Sequence, residues 1–447
     1  MNMRLFREGV LKARNHIALI LGLILGTVLV YELKKLETKF TVPEVTIKIE
    51  KTAPQVQWLP SPLTPEERLY AQIAWRYFEN NYQKNTGLVN SVDGFPSTTL
   101  WDTGNYLMAL ISAYKLNLID KTAFDKRLHK ILDTFCHMPF YNHELPNKAY
   151  DTRTAQMVDY TNKPTEKGIG WSAIDIGRVL IPLSIINWEF PQYNAQIRQF
   201  LKRFKLKHLA QKGMFFGMKY KRGKESLLQE GRLGYEQFTA KMFAALGIDA
   251  TNALDYKKFL GFVDIYGIKV PYDKRDKKHS GANNYVLSEP YILDGLEFGW
   301  DHYSKEFAYR VYKAQEERYK HTGILTAVTE DHLDRPPYFI YNCVFVNGEA
   351  WQAITDKGEK INALKLLSTK ASFGWYYLFH TDYTKKFVKR IKNLYNKNKG
   401  WYAGVYEKTG EINRSINCNT NAVILEALYF KTHGPIFRLM GKNAGGD

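Results

Sequence analysis

Cysteine is scarce: the 447 residues hold only Cys136, Cys343 and Cys418, far apart in the chain. Such spacing makes neither a disulfide framework nor a zinc site, and it implies isolated buried thiols. H-E-x-x-H is missing, and no His/Cys cluster has metal-ligand spacing. No metal or other cofactor is therefore expected. Glycine-rich phosphate loops, zinc fingers and RNA-binding aromatic signatures are also missing, so the net charge of +18 is not read as nucleic-acid binding. "SFGWY" and "RSINC" are not nucleophile elbows. Acids are outnumbered, 45 against 63 Lys and Arg, which leaves a solvated basic surface suited to an anionic bilayer nearby.

The long apolar run stands near the start. Ile17–Tyr31 is a stretch of 15 uncharged, mostly apolar residues, preceded by Arg4, Arg7, Lys12 and Arg14 against one acid, Glu8. Lys34 and Lys35 can snorkel to lengthen it, and no small-x-small cleavage site follows. The reading is a cytoplasmic basic tail (1–16) and an uncleaved transmembrane anchor (17–33), with the body in the periplasm of a bacterial inner-membrane protein. A cleaved signal is the alternative. Residues 34–62, with four prolines, read as a tether, and residues 436–447 as a C-terminal tail.

The body, 63–435, opens on "LTPEERLYAQ". Thr64 caps a helix, Pro65 sits in its first turn, and Glu66 and Glu67 suit its N-terminus. A loose repeat follows. An amphipathic basic helix leads to a glycine with an apolar or aromatic pair (at Gly87, Gly213, Gly323 and Gly400), then a polar loop, then a helix apolar on most faces. These buried helices start near Trp101, Trp171, Tyr235, Pro290, Ala371 and Asn419, and 347–355 offers a short further one. Alternating half-buried and fully buried helices imply two concentric layers. The expected fold is all-α: an (α/α)6 toroid of six or seven pairs with short β-hairpins on one rim, behind the anchor.

In such a toroid the inner helix starts converge on one mouth. They carry aromatics beside carboxylates: Trp101 and Asp102; Trp171, Asp175 and Arg178; Glu230, Arg232, Tyr235 and Glu236; Tyr285, Glu289 and Asp294; Glu349 and Trp351; Arg414, Asn419 and Asn421. Any one carboxylate at a helix start is an ordinary cap, and Asp175 with Arg178 an ordinary helix pair. The set is what points to sugar: rings stack on pyranoses, and carboxylates and amides bind hydroxyls. Glycoside hydrolysis needs one protonated and one charged carboxyl group. Glu236, one turn into an apolar helix, is the expected proton donor, because burial raises its pKa. Asp102, at a helix N-terminus, is expected to stay ionised as base or anchor. Asp175, Glu230, Glu289 and Glu349 compete for these roles. "EDHLDRPP" resembles a calcium-ligand cluster only loosely and reads as an acidic loop or a substrate flap, with His332 and His279 as loop histidines.

"LWDTGNYLMALISAY", "GWSAIDIGRVL" and "RLGYEQFTAKMFAALG", in that order, resemble the glucoamylase-like (α/α)6 domains of bacterial glycan-processing proteins, endo-β-1,2-glucanases among them. The body also resembles a bacterial envelope family of unknown function. In the hydrolases the acid of a Gly-Tyr-x-Glu helix start is a candidate proton donor. The resemblance places Glu236 there, in a Gly234-Tyr235-Glu236 motif one residue shorter, and implies an inverting reaction. The sequence thus predicts a membrane-anchored glycoside hydrolase acting on an envelope or exported glucan-type polysaccharide. Its alternative is a non-catalytic glycan-binding or assembly factor. The expected partners are the glycan and, through the anchor, the membrane, with no nucleic acid; the sequence identifies no protein partner.

Overall fold

The computed structural model describes residues 49–54 and 58–437, with isolated positions between 3 and 28. The chain divides into two compact units, Met1–Glu50 and Lys51–Asp447. In the first, Lys12 and residues 14–16 are helical and exposed. The anchor expected at 17–33 falls largely outside the described residues, as does the tail from 438 onward. Among the described residues no helix is long and apolar enough to cross a membrane.

Twelve helices of the second unit build two layers. The outer layer comprises α1 (Pro65–Asn80), α3 (Lys121–His137), α5 (Asn194–Leu201), α7 (Thr251–Leu254), α9 (His302–Thr322) and α11 (Asp382–Ile391). Between them run the inner helices α2 (Leu100–Lys115), α4 (Ala173–Glu189), α6 (Tyr235–Ala245), α8 (Glu289–Phe298), α10 (Thr369–Phe379) and α12 (Cys418–His433). The sequence pattern decides the layer. In α11, "DYTKKFVKRI" buries only Tyr383, Thr384, Phe387 and Ile391 and leaves its lysines in water. In α12 every residue from Cys418 to Phe430 is buried. Burying one large apolar side chain is worth ~1.5–3 kcal/mol, so the inner layer dominates the stability.

Each inner helix packs on the next, and α12 returns to α2, closing a ring of six. Small residues set the spacing. A Cβ on Gly104 of α2 would sit 2.7 Å from Arg178 Cγ and 2.9 Å from its carbonyl oxygen. A Cβ on Gly177 of α4 would sit 2.7 Å from Cβ of Thr239 on α6. Side-chain N-caps (Thr99, Ser172, Ser368 and Asn417) start α2, α4, α10 and α12.

The two ends of the ring differ. Connections from inner to outer helices are short, such as 299–301 and 380–381. Connections from outer to inner helices are long and carry the strands, which exceed the short rim turns expected of an all-α chain. They include the hairpins Met214–Lys221/Lys224–Gln229 and Leu260–Ile265/Ile268–Asp273, and the three-stranded sheet of Glu330–His332, Phe339–Val346 and Glu349–Ile354. That sheet corrects one expectation: 347–355 is a turn and strand, not a helix, because the Asn347-Gly348 turn, with φ of 49° and 92°, folds it back on Phe339–Val346.

The segment before α1 crosses the short-loop end, here called the floor. The Thr52 and Ala53 amides each donate to Glu306 Oε2 at 2.8 Å, in the first turns of outer helix α9. Trp58 Nε1 donates to the Phe430 carbonyl at 2.7 Å, and the Ser61 amide to the Lys431 carbonyl at 3.2 Å, both near the end of inner helix α12.

Candidate active site

The inner helices all begin at the long-loop end, so their first turns and the strands above them form a mouth. Helix N-termini favour anions, and carboxylates gather there. Glu289 opens α8 and lies at the bottom of the mouth. Its Oε1 accepts from Trp101 Nε1 at 3.2 Å and Asn419 Nδ2 at 2.8 Å, and its Oε2 from the Lys370 ammonium. Lys370 is buried in the first turn of α10. Burial opposes its charge, but Glu289, Glu330 and Asp331 together hold its pKa above the ordinary lysine value.

Glu330 and Asp331 stand on a short strand beside it, 7% and 2% exposed. Glu330 accepts from the Tyr235 hydroxyl and, at 2.6 Å, from Thr329 Oγ1. Asp331 Oδ1 accepts from Ser368 Oγ at 3.2 Å. Burial raises both carboxyls, Asp331 far above the ordinary range. His332, next on the strand, is pushed down to about 4 by burial and by Lys370, so it is neutral at physiological pH.

A second pair stands at the start of α4. Glu230 Oε2 accepts from the Ala173 amide at 2.5 Å and is raised by burial. Asp175, partly exposed, is raised to about 7 by burial and then by the charge of Glu230. Aromatic rings line the same space. Trp101 meets Tyr235 edge-on at 5.2 Å, and Tyr285 stacks on Tyr341 at 4.0 Å. Tyr160, 63% exposed on a long connection, has its hydroxyl within electrostatic reach of Asp175 and Glu230. The arrangement offers protonated and hydrogen-bonded carboxyl groups beside ring faces, which is the equipment for binding a sugar and protonating a glycosidic oxygen.

The structure thus brings together Trp101, Asp102, Asp175, Glu230, Tyr235, Tyr285, Glu289 and Asn419. Burial raises the pKa of Asp102, outweighing the hydrogen bonds from Ser91 and Thr99. Glu236 lies elsewhere. It is 1% exposed, and its Oε2 is 2.5 Å from Arg275 Nη2, which also pairs with Asp273. Burial raises it as expected, but Arg275 opposes the shift and occupies its carboxylate. Arg232 serves this same knot, donating to the Arg275 carbonyl at 2.8 Å and to Gln229 Oε1 at 2.9 Å.

The remaining sequence candidates are structural. Trp171 is buried and donates to the Phe216 carbonyl at 3.0 Å. Asn421 accepts from the Trp401 amide at 2.9 Å and ties strand to helix. Glu349 is exposed and paired with Lys360 at 2.7 Å, and Trp351 lies under Arg318, 4.9 Å away. Neither is at an inner helix start. Arg178 is fully buried on the axis below the mouth. It pairs with Glu297, with Glu426 at 3.0 Å and with Asn105 at 2.8 Å. Burial raises the pKa of both glutamates, against the opposing charge of Arg178. Sequence reasoning passed over Lys370, Tyr341 and Tyr160, and read Glu330 and Asp331 only as part of an acidic loop or substrate flap. The signals present were "TEDH", with its buried Thr329, and "STK" at the start of α10.

A family profile, described as a protein of unknown function (DUF3131), matches residues 69–434. The chain belongs to the DUF3131 family. That match runs from α1 through α12, so the family is the toroid. No curated protein matches the sequence. Solved structures share the architecture at low identity. An endo-β-1,2-glucanase from Chitinophaga pinensis, in complex with sophorotriose and glucose, is 12% identical with a TM-score of 0.59, over 84% of this chain and 94% of that one. A glucoamylase-like protein from Bacteroides fragilis is 10% identical with a TM-score of 0.59, over 86% and 95%. An endo-β-1,2-glucanase mutant from Talaromyces funiculosus, in complex with β-1,2-glucan, is 10% identical with a TM-score of 0.55, over 85% of each chain. At these identities the likeness establishes the fold: the DUF3131 toroid is a glycoside hydrolase-like (α/α)6 fold, as the sequence motifs implied.

Proposed function

We propose that this DUF3131 protein is a glycoside hydrolase acting on a glucan-type polysaccharide. The observation that carries the reading is Asp175: a partly exposed carboxyl raised to about 7, next to Glu230, in an aromatic-lined mouth. A general acid works best with a pKa near the operating pH. Asp175 is the proton donor to the leaving oxygen. Glu230, held by the Ala173 amide at the α4 N-terminus, is the charged partner that raises it. Glu330, given hydrogen bonds by Tyr235 and Thr329, is the carboxylate that activates water. Glu289 and Trp101 position the sugar. Glucan complexes of proteins with this fold support the substrate class.

The same reading places residues 17–33 in the inner membrane and the toroid in the periplasm, on the strength of the basic tail and apolar run.

The test is a screen for reducing ends released from β-1,2-glucan and other glucans. Wild type releases them, while Asp175→Asn and Glu330→Gln lose about 10²–10⁴-fold in rate and keep their melting temperature. Release by wild type with both variants unaffected would overturn these roles. Binding without release by wild type would make the protein a glycan binder.

A further inference from the structure

We propose that this mouth prefers glycan chains that carry free amino groups, so that the site binds a cationic, de-N-acetylated amino-sugar unit more tightly than a neutral hexose. The proposal rests on the glycan reading of the same mouth and names its ligand class.

The charge of the mouth runs against that of the chain. Overall, Lys and Arg outnumber Asp and Glu by 63 to 45. At the mouth, Asp102, Asp175, Glu230, Glu289, Glu330 and Asp331 have Lys370 and Lys148 within electrostatic reach, and Glu289 also reaches Arg178, which is itself paired with Glu297 and Glu426. Lys370 is spent on three of the acids. Beyond about 8–10 Å the basic outer surface is screened by salt, so an entering group responds to the local acids.

Among the described residues, two buried acceptors at the mouth lack a donor. Asp331 Oδ2 and Asn419 Oδ1 make no hydrogen bond, although Asp331 is 2% and Asn419 7% exposed. The orientation of the Asn419 amide is settled by its neighbour, because the Glu289 carboxylate can only accept, and it takes the Asn419 nitrogen at 2.8 Å. Asn419 therefore presents an acceptor, not a donor. Unmade buried acceptors are costly, and both stand beside the acid cluster. A hydroxyl satisfies one of them. An ammonium brings up to three N–H donors and a full positive charge that the surplus acids lack. It also resolves their protonation: burial holds Asp175 and Asp331 toward the neutral form, and a bound cation favours the ionised one. Binding should therefore release protons. The groups that face Asp175 are Glu230 and Lys148, with Asp102 from α2, Ser172 at its own helix start and the Tyr160 hydroxyl. Those that face Asp331 are Lys370, Ser368, Glu330 and Glu289.

The experiment is titration calorimetry of the full chain with glucosamine tetramer, its fully N-acetylated counterpart and cellotetraose, repeated with glucosamine and glucose to remove dependence on linkage. The expected result is at least about tenfold tighter binding of the amine-bearing sugar in each series. Proton release on binding should be seen in buffers of differing ionisation enthalpy, and the preference should shrink at high salt. Affinity for the amine should rise between about pH 5 and about pH 6.5, as bound carboxyls ionise. The near-isosteric Asp331→Asn variant should lose most of the preference while keeping its melting temperature. Equal or tighter binding of the neutral or acetylated sugars, or binding of none, overturns the proposal. The hydrolase reading fails separately: amine-selective binding with no cleavage of amino-glycans sinks hydrolysis and keeps the ligand class, while cleavage of neutral glucan without amine preference does the reverse.

Discussion

The two ends of the toroid are made from the same twelve helices and are nothing alike. At the floor, loops as short as 380–381 turn the chain, and the amides of Thr52, Ala53 and Ser61 donate hydrogen bonds to it. At the mouth, long connections carry all the hairpins and bring buried acids together from different elements. The floor binds the ring with ordinary hydrogen bonds and aromatic contacts. The mouth holds carboxyl groups away from water, a cost that packing elsewhere has to bear. Stability and chemistry are thus divided along the toroid axis, with Arg178 between them.

Substitutions at the three levels should separate these roles. The largest effect belongs to catalysis at the mouth: Asp175→Asn should lower glucan hydrolysis by about 10²–10⁴-fold with an unchanged melting curve. Loss of both together would mean that the mouth is structural after all. On the axis, Arg178→Ala should destabilise by about 3–5 kcal/mol, since it leaves Glu297 and Glu426 buried without their cation. Urea unfolding would show it, and a change under about 1 kcal/mol would mean that the two carboxyls had simply taken up protons. At the floor, Trp58→Ala removes the bond to the Phe430 carbonyl and a ring contact, and should cost about 2 kcal/mol while leaving hydrolysis intact.

The smallest effect is the pH dependence of stability. Glu297, Glu426 and Asp331 have folded pKa values raised by burial, so the folded chain binds more protons than the unfolded one above pH ~4.5. Their contribution is complete below the unfolded pKa and is lost as pH rises. Carboxylates lowered in the fold, such as Glu67 with Lys431 and Glu306 with Arg310, act oppositely and lose their contribution only in stronger acid. The melting temperature should therefore be higher near pH 5 than near pH 8. Glu426→Gln should flatten that slope, and an unchanged slope would remove the axial pair as its source.

The division also explains what could be read beforehand. The six inner helix starts were legible because an all-round apolar run with small residues has one use in a chain this long. Trp101, Asp102, Glu289 and Asn419 follow from those starts. Glu330 and Lys370 do not: one is on a strand whose partners come from Phe339–Val346, and the other opens a helix where a lysine reads as solvent-facing. Burial of Glu236 was visible in its own helix, but Arg275, on the far side of a hairpin, was not. Trp351 was legible as an aromatic beside an acid and was misplaced, because a two-residue turn at Asn347-Gly348 sends it to a strand. Local pattern reveals layers; the partner of a buried charge depends on long-range topology.

The closure of the ring has a consequence for how the chain comes into being. Helix α2 is covered by α12, and α1 packs on that same last helix. Emerging from the ribosome, the first helices expose apolar faces whose cover is encoded at Cys418–His433, the other end of the toroid. Contacts of such long sequence separation form late. The mouth, assembled from all six inner helices, comes into existence only in the finished molecule.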